Sequence, residues 1–192
     1  WHYLFTRGIV IFLLLNIYLF FEEGKDFYKN YLKAGVSGLI GGCGLALAMI
    51  TFIYSIINTS AAITLLCLAA MPFFTALLGF LFLKESISLN VWIAILVAAI
   101  GIIIMALGNP NKGSLLGLVF GLASAVGFSV FSVTLRWRKE TPKFTTVSIA
   151  GLICVVVSSI MMIETQQSFV SSSYNQGLFS IHGTFVCLGL IL

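Results

Sequence analysis

Six apolar runs, each near the length of a bilayer crossing and separated by short polar stretches, leave this chain few folds to choose from. A helix needs about 20 apolar residues to cross the hydrocarbon core. The runs fall near 2–21, 35–57, 60–83, 91–108, 115–135 and 144–163, and a seventh begins near His182 and continues to Leu192. Lipid offers no partners for backbone amides, so a spanning segment must be a helix or part of a closed barrel. The runs lack the alternation of barrel strands. The expected fold class is all-α, a polytopic transmembrane helix bundle.

Composition closes the soluble alternatives. Charged residues make up 8% of the chain and hydrophobic ones 60%, whereas a soluble domain carries about 25% charged residues to keep its surface wet. The net charge of +4 does not point to nucleic acid, because of where the charges fall. One set of alternate loops holds eight basic residues: Lys25, Lys29, Lys33, Lys84, Arg136, Arg138, Lys139 and Lys143. The other set holds Lys112 alone, and Arg7 lies within the first run. Basic loops stay on the cytoplasmic side, so the first span is expected to run inward and the others to alternate from there.

Other classes find little support. Cys43, Cys67, Cys154 and Cys187 all lie in apolar runs without a CxxC pair, and His2 and His182 are the two histidines. Neither a disulfide framework nor a metal site is expected, nor any cofactor. No GxSxG, HExxH or HxxxxD occurs, and no run holds a carboxylate well away from its ends, so a catalytic dyad within these helices is hard to build. The first run has no signal-peptide n-region or cleavage site. The chain opens at Trp1 and stops inside an apolar run, which reads as a piece of a longer protein.

Between the runs, Asn58-Thr59 forces an antiparallel helix hairpin. The 84–90 and 109–114 loops are also tight, while 22–33 and 164–181 are longer. Gly38 with Gly42, and Gly117 with Gly121, have the small-xxx-small spacing that lets helix backbones approach closely in lipid.

Polar side chains inside spans are costly and tend to face an interior. Thr51, Tyr54, Ser55 and Asn58 recur at helical spacing on one face of the second span. Thr64, Cys67, Met71 and Thr75 form a stripe on the third, where Pro72 interrupts the backbone ladder and permits a kink. On the fifth span, Gly117, Gly121, Ser124, Phe128 and Ser132 share a side. Two readings stay open: these hydroxyls bond to their own backbone and glue helices together, or they line a solute cavity. Arg7 either snorkels outward or pairs with an anionic solute group or a helix end. Lys84-Glu85 reads as an interfacial pair flanking the next helix.

The stretch from Tyr54 to Glu85 resembles the EamA-type transporters of the drug/metabolite transporter superfamily. Thr59-Ser60-Ala61-Ala62 opens a helix, Pro72 lies in its middle and Leu83-Lys84-Glu85 closes it. Gly101 and Gly108 continue the likeness, and Gly117 with Gly121-Leu122-Ala123-Ser124-Ala125 is similar to the opening of a second repeat. Arg7 stands where the family often has an arginine in its second helix. The resemblance implies a ten-helix fold of two inverted five-helix repeats around a central cavity. On that map, residues 1–108 hold helices two to five of the first repeat and 109–192 hold helices six, seven and part of eight.

The implied activity is secondary transport of a small metabolite or drug-like solute by alternating access across a bacterial cytoplasmic membrane. The implied partners are that solute and the bilayer, with a homodimer as the assembly to test. The rivals are an organellar carrier of the same superfamily, an intramembrane enzyme with catalytic residues outside this chain, and an assembly subunit that transports nothing.

Overall fold

The computed structural model describes residues 1–24, 27–86, 88–108 and 115–166, and every regular element in them is a helix. The protein is an integral, multi-pass helix bundle. In chain order the helices are α1 (His2–Glu23), α2 (Tyr28–Asn58), α3 (Ala61–Leu68), α4 (Met71–Leu78), a π-helical turn (Gly79–Leu83), α5 (Leu89–Gly108), α6 (Leu115–Trp137) and α7 (Lys143–Glu164). Five segments are long and apolar enough to cross a membrane: α1, α2, the joined Ala61–Leu83 unit, α6 and α7. The apolar helix α5 packs against α3 with most of its described side chains exposed. The expected run after His182, the 109–114 loop with Lys112, and Cys187 lie outside the described residues.

Two expectations need correction. Among its described residues the 22–33 stretch is largely helical, because α1 continues to Glu23 and α2 already starts at Tyr28. Hydropathy marks what sits in lipid, and a helix can continue past that boundary. The helix bends instead at Gly35, whose φ of 47° suits glycine and strains other residues. The 60–83 run is also not one helix. It breaks at Ala69–Ala70, and Pro72 is the second residue of α4. A missing N–H is harmless in the first turn, so the chain starts a new helix rather than kinking through the proline.

Packing follows the small residues. In lipid, apolar side chains gain little by leaving the solvent, so helices associate through close van der Waals contact and buried hydrogen bonds. The helix α1 lies on α7, and α2 lies on both α6 and α7. A Cβ added to Gly8 would stand 2.8 Å from the Gly151 carbonyl oxygen. Leu4, Ile11, Leu15, Leu45, Met49, Val147 and Cys154 fill the space between α1, α2 and α7, with Phe128 and Phe131 of α6 packed against them. The opposite faces carry exposed Leu13, Ile17 and Phe21 on α1 and Leu152, Val156 and Ile160 on α7, as lipid contact requires. A polar triad ties the same three helices together. The Tyr31 hydroxyl stands 2.7 Å from Asn16 Oδ1 and 2.8 Å from Ser148 Oγ, and Asn16 Nδ2 donates to Ser148 Oγ at 2.8 Å.

Candidate functional site

The sequence candidates separate into two groups at different depths. The first is a knot between α2, α3 and α6. Ser55 Oγ lies 2.8 Å from the Gly117 carbonyl and 2.9 Å from Thr64 Oγ1. Donating to the carbonyl leaves Ser55 free to accept from Thr64, whose one proton is shared with the Ser60 carbonyl at 3.1 Å. Both side chains are fully buried, as is Cys67. A Cβ on Gly121 would stand 2.9 Å from Cys67 Cβ and 3.0 Å from Ser55 Oγ, so the glycine is what admits them. One turn away, Ser124 Oγ donates to the Ala48 carbonyl at 3.0 Å, and Thr51 Oγ1 donates to Leu47 of its own helix at 2.8 Å. Asn58 closes α2 by donating to the Tyr54 carbonyl at 2.8 Å, and Ser60 caps α3 by accepting from the Ile63 amide. Tyr54 itself is half-buried, its ring 5.5 Å from Trp1 and 5.3 Å from Phe120.

The second group surrounds space. Met71, Pro72, Thr75 and Ser132 line a cavity of about 480 Å³, completed by Ala76, Glu85, Ser86, Ser88, Val91 and Arg136. Its walls are α4, the start of α5 and the last third of α6. It therefore opens near the end of the bundle that carries the basic loops. The α3–α4 break falls at Ala69–Ala70, and the Ser129 hydroxyl of α6 reaches the first turn of α4, its one proton shared between the Ala125 carbonyl of its own helix at 2.7 Å and the Met71 carbonyl at 3.0 Å. Thr75 Oγ1 is buried there and has no hydrogen-bond partner among the described residues.

The rim has an unusual backbone. The π turn widens the helix just before its end; such turns are rare and cluster at functional sites. Lys84 then adopts a left-handed conformation (φ 56°) that turns Glu85 back, and the Glu85 amide donates to the Gly79 carbonyl at 3.3 Å. The Glu85 carboxylate packs over Gly79, where a Cβ would stand 2.9 Å from Oε2. Across the rim, Arg136 Nη1 donates to the same Oε2 at 3.2 Å. The two side chains are 45% and 43% exposed, so the pair contributes only about 0.2–1 kcal/mol. That is weak enough to be exchanged for another partner.

Arg7 and Phe128 belong to neither group. Phe128 is packed against the core. The Arg7 guanidinium lies 5.9 Å from the Tyr3 ring centre, and its buried Nε has no hydrogen-bond partner among the described residues. Sequence reasoning missed Glu85, Ser86, Ser88 and Arg136. The adjacent Lys84 drew attention as the partner of Glu85, whereas the carboxylate reaches a residue 51 positions away. No local spacing announces such a contact.

Comparison with known proteins finds likeness to one transporter family. The sequence model of the EamA-like transporter family matches residues 1–107. An uncharacterized transporter of Helicobacter pylori (strain J99) is 29% identical over 139 residues, covering 71% of this chain and 45% of the relative. An uncharacterized transporter of Clostridium kluyveri is 30% identical over 151 residues, covering 71% of this chain and 47% of the relative. The chain thus spans about half the length of the curated relatives it matches. No solved structure is a significant match.

Proposed function

The chain belongs to the EamA-like transporter family, and from that premise we propose that it works as a secondary transporter, moving a small metabolite or drug-like solute by alternating access across a bacterial cytoplasmic membrane. The observation that carries this reading is the cavity under the α3–α4 break, walled by α4, α5 and α6. It combines apolar surface from Met71, Pro72, Ala76 and Val91 with the hydroxyl residues Thr75, Ser86, Ser88 and Ser132, the mixed lining that suits a small solute. In this reading Met71, Pro72, Thr75 and Ser132 meet the solute at the cytoplasmic end, and Tyr54 offers it an aromatic face at the other. Ser55, Thr64, Cys67 and Ser124 hold the helices that frame the path.

The family match over 1–107 supports a first repeat ending near Gly108 and a second opening with α6. Two inverted repeats rocking about a midplane site would give the alternating access, and a homodimer is the assembly to look for. The basic loops support a cytoplasmic placement for the cavity.

The test is counterflow in proteoliposomes against a metabolite panel. A transporter exchanges at least one solute unchanged, an enzyme returns it altered, and an assembly subunit does neither. Ala76→Trp should fill the cavity and stop the exchange, while the lipid-facing Leu96→Ala should leave it intact. Exchange that continues undiminished in Ala76→Trp would remove the cavity from the pathway.

A further inference from the structure

Arg136 lines the cavity and, among the described residues, makes one polar contact, Nη1 to Glu85 Oε2 at 3.2 Å. A guanidinium carries five N–H donors arranged to grip two oxygens of one oxyanion. Here one of them is used by Glu85, and no other acceptor is assigned to the group among the described residues. Backbone geometry, not the ion pair, brings Glu85 to the rim: the π turn and the left-handed Lys84 turn it back over the bare Gly79 surface, and its half-exposed side chain keeps the freedom to swing away. A carboxylate held at the mouth of a cavity, monodentate and half exposed, resembles a tethered ligand more than a structural brace.

We propose that Arg136 is the subsite for an oxyanion, carboxylate or phosphate, on the transported solute, and that Glu85 is its built-in competitor. With no solute bound, Glu85 occupies Arg136 and spans the mouth between α4 and α6. An incoming oxyanion displaces it with a two-oxygen grip, and the carboxylate is released toward solvent, where its hydration costs little. The exchange leaves no cation unpaired at any stage. This deepens the transport reading and rests on it, because it assigns a charge to the solute.

The arrangement makes a prediction that a structural ion pair does not. If the pair served only to brace the rim, removing either charge would have the same effect. If Glu85 competes, neutralising it strengthens anion binding and neutralising Arg136 abolishes it.

The experiment uses Ser132→Cys, which puts a thiol inside the cavity, in a background with Cys43 and Cys187 changed to Ser. The purified protein goes into phosphatidylcholine nanodiscs, where both faces are open and no lipid carries net negative charge. Labelling by N-ethylmaleimide is followed with succinate or inorganic phosphate present, against chloride at matched ionic strength. The proposal expects protection by one of these oxyanions and none by chloride. In Glu85→Gln the half-protecting concentration should fall by roughly two- to fivefold, the scale of a partly exposed ion pair. Arg136→Gln should lose the protection, and Arg136→Lys should keep part of it, which separates a lost charge from a lost fold. Loss of protection in both Glu85→Gln and Arg136→Gln, or labelling that no oxyanion slows, would overturn the subsite and leave the transport reading standing. If adding phosphatidylglycerol blocks labelling and free oxyanions do nothing, the site takes a lipid headgroup and the solute assignment is wrong. A Ser132→Cys protein whose new thiol never reacts would mean the cavity is closed from solvent and would overturn the subsite, while counterflow still decides the transport reading.

Discussion

A Cβ on Gly127 would stand 2.6 Å from the Gly44 carbonyl oxygen, so α6 and α2 meet backbone to backbone. The reciprocal contact, Gly44 to the Gly127 carbonyl, is 3.0 Å. The neighbours on the Gly127 side are the Gly44 carbonyl and the Ala48 amide and Cβ, none of which can swing away. This contact brings Ser124 within hydrogen-bond reach of Ala48 and Thr134 up against Gly41. The face of α6 set against α2 positions the opposite edge of the same helix, Ser132 and Arg136, on the cavity.

Gly127→Ala should therefore destabilise the bundle. Alanine normally favours a helix over glycine by roughly 0.5–1 kcal/mol, but overpacking a tight contact costs about 1–3 kcal/mol, and the clash here is with backbone. Gly101 is the control, since nothing lies within 4 Å of its added Cβ. Thermal unfolding in detergent should show Gly127→Ala melting lower than the parent and Gly101→Ala melting no lower. A Gly127→Ala protein that melts at or above the parent would contradict the backbone contact.

The hydroxyl knot makes a coupled prediction. Ser55 and Thr64 bond to each other and, through Ser55, to the Gly117 carbonyl. Buried hydrogen bonds between membrane helices are worth about 0.6 kcal/mol on average and up to about 2. Ser55→Ala and Thr64→Val should each destabilise on that scale. The double variant should cost less than their sum, because residues in one network are not additive. Strict additivity in a double-mutant cycle would mean that the two hydroxyls do not bond to each other in the membrane.

Orientation can be read from two exposed positions at opposite ends of the bundle. Ser86 sits beside Glu85 at the basic end, and Thr165 follows the last turn of α7 at the other. Basic loops belong in the cytoplasm, so Thr165→Cys should react with an impermeant thiol reagent added to intact cells. Ser86→Cys should react only in inside-out vesicles. The reverse pattern would invert the topology and move the cavity to the outer face.

Much of the helical framework is legible in the sequence because lipid imposes a length and a hydropathy on each span. The expected 115–135 and 144–163 runs differ from α6 (Leu115–Trp137) and α7 (Lys143–Glu164) by at most two residues at an end. Helix ends outside lipid are less legible, as the early start of α2 shows, since hydropathy is silent where water satisfies the backbone. The stripe of Thr51, Tyr54, Ser55 and Asn58 is legible as a helical face, but spacing cannot say whether a polar face meets a cavity or another helix. Glycines on the opposing helix decide that, and their register is a tertiary fact. Glu85 and Arg136 are beyond sequence reasoning for the same reason: the π turn that aims the carboxylate leaves no trace in hydropathy.

The break before Pro72 offers the sharpest link between backbone and cavity. In an uninterrupted helix the residue-72 amide would bond to the Leu68 carbonyl. Proline has no N–H to give, and its ring collides with that carbonyl, at a cost of about 3 kcal/mol. The chain avoids the conflict by ending α3 at Leu68 and restarting at Met71. Pro72→Ala removes both the collision and the missing donor. Helix should then run on through Ala69 and Ala70, and the Ala70 amide, bonded in the parent to the Cys67 carbonyl three residues back, should shift to the Leu66 carbonyl and exchange with deuterium more slowly. Straightening α3 into α4 also moves Met71 and Thr75 relative to Ser132 across the cavity. Stability should hold or rise while solute exchange falls, a split that general damage to the fold does not produce. Unchanged deuterium exchange at Ala70 would show that packing against α6, with Ser129 beside the Met71 carbonyl, sets the break, with the proline only tolerating it.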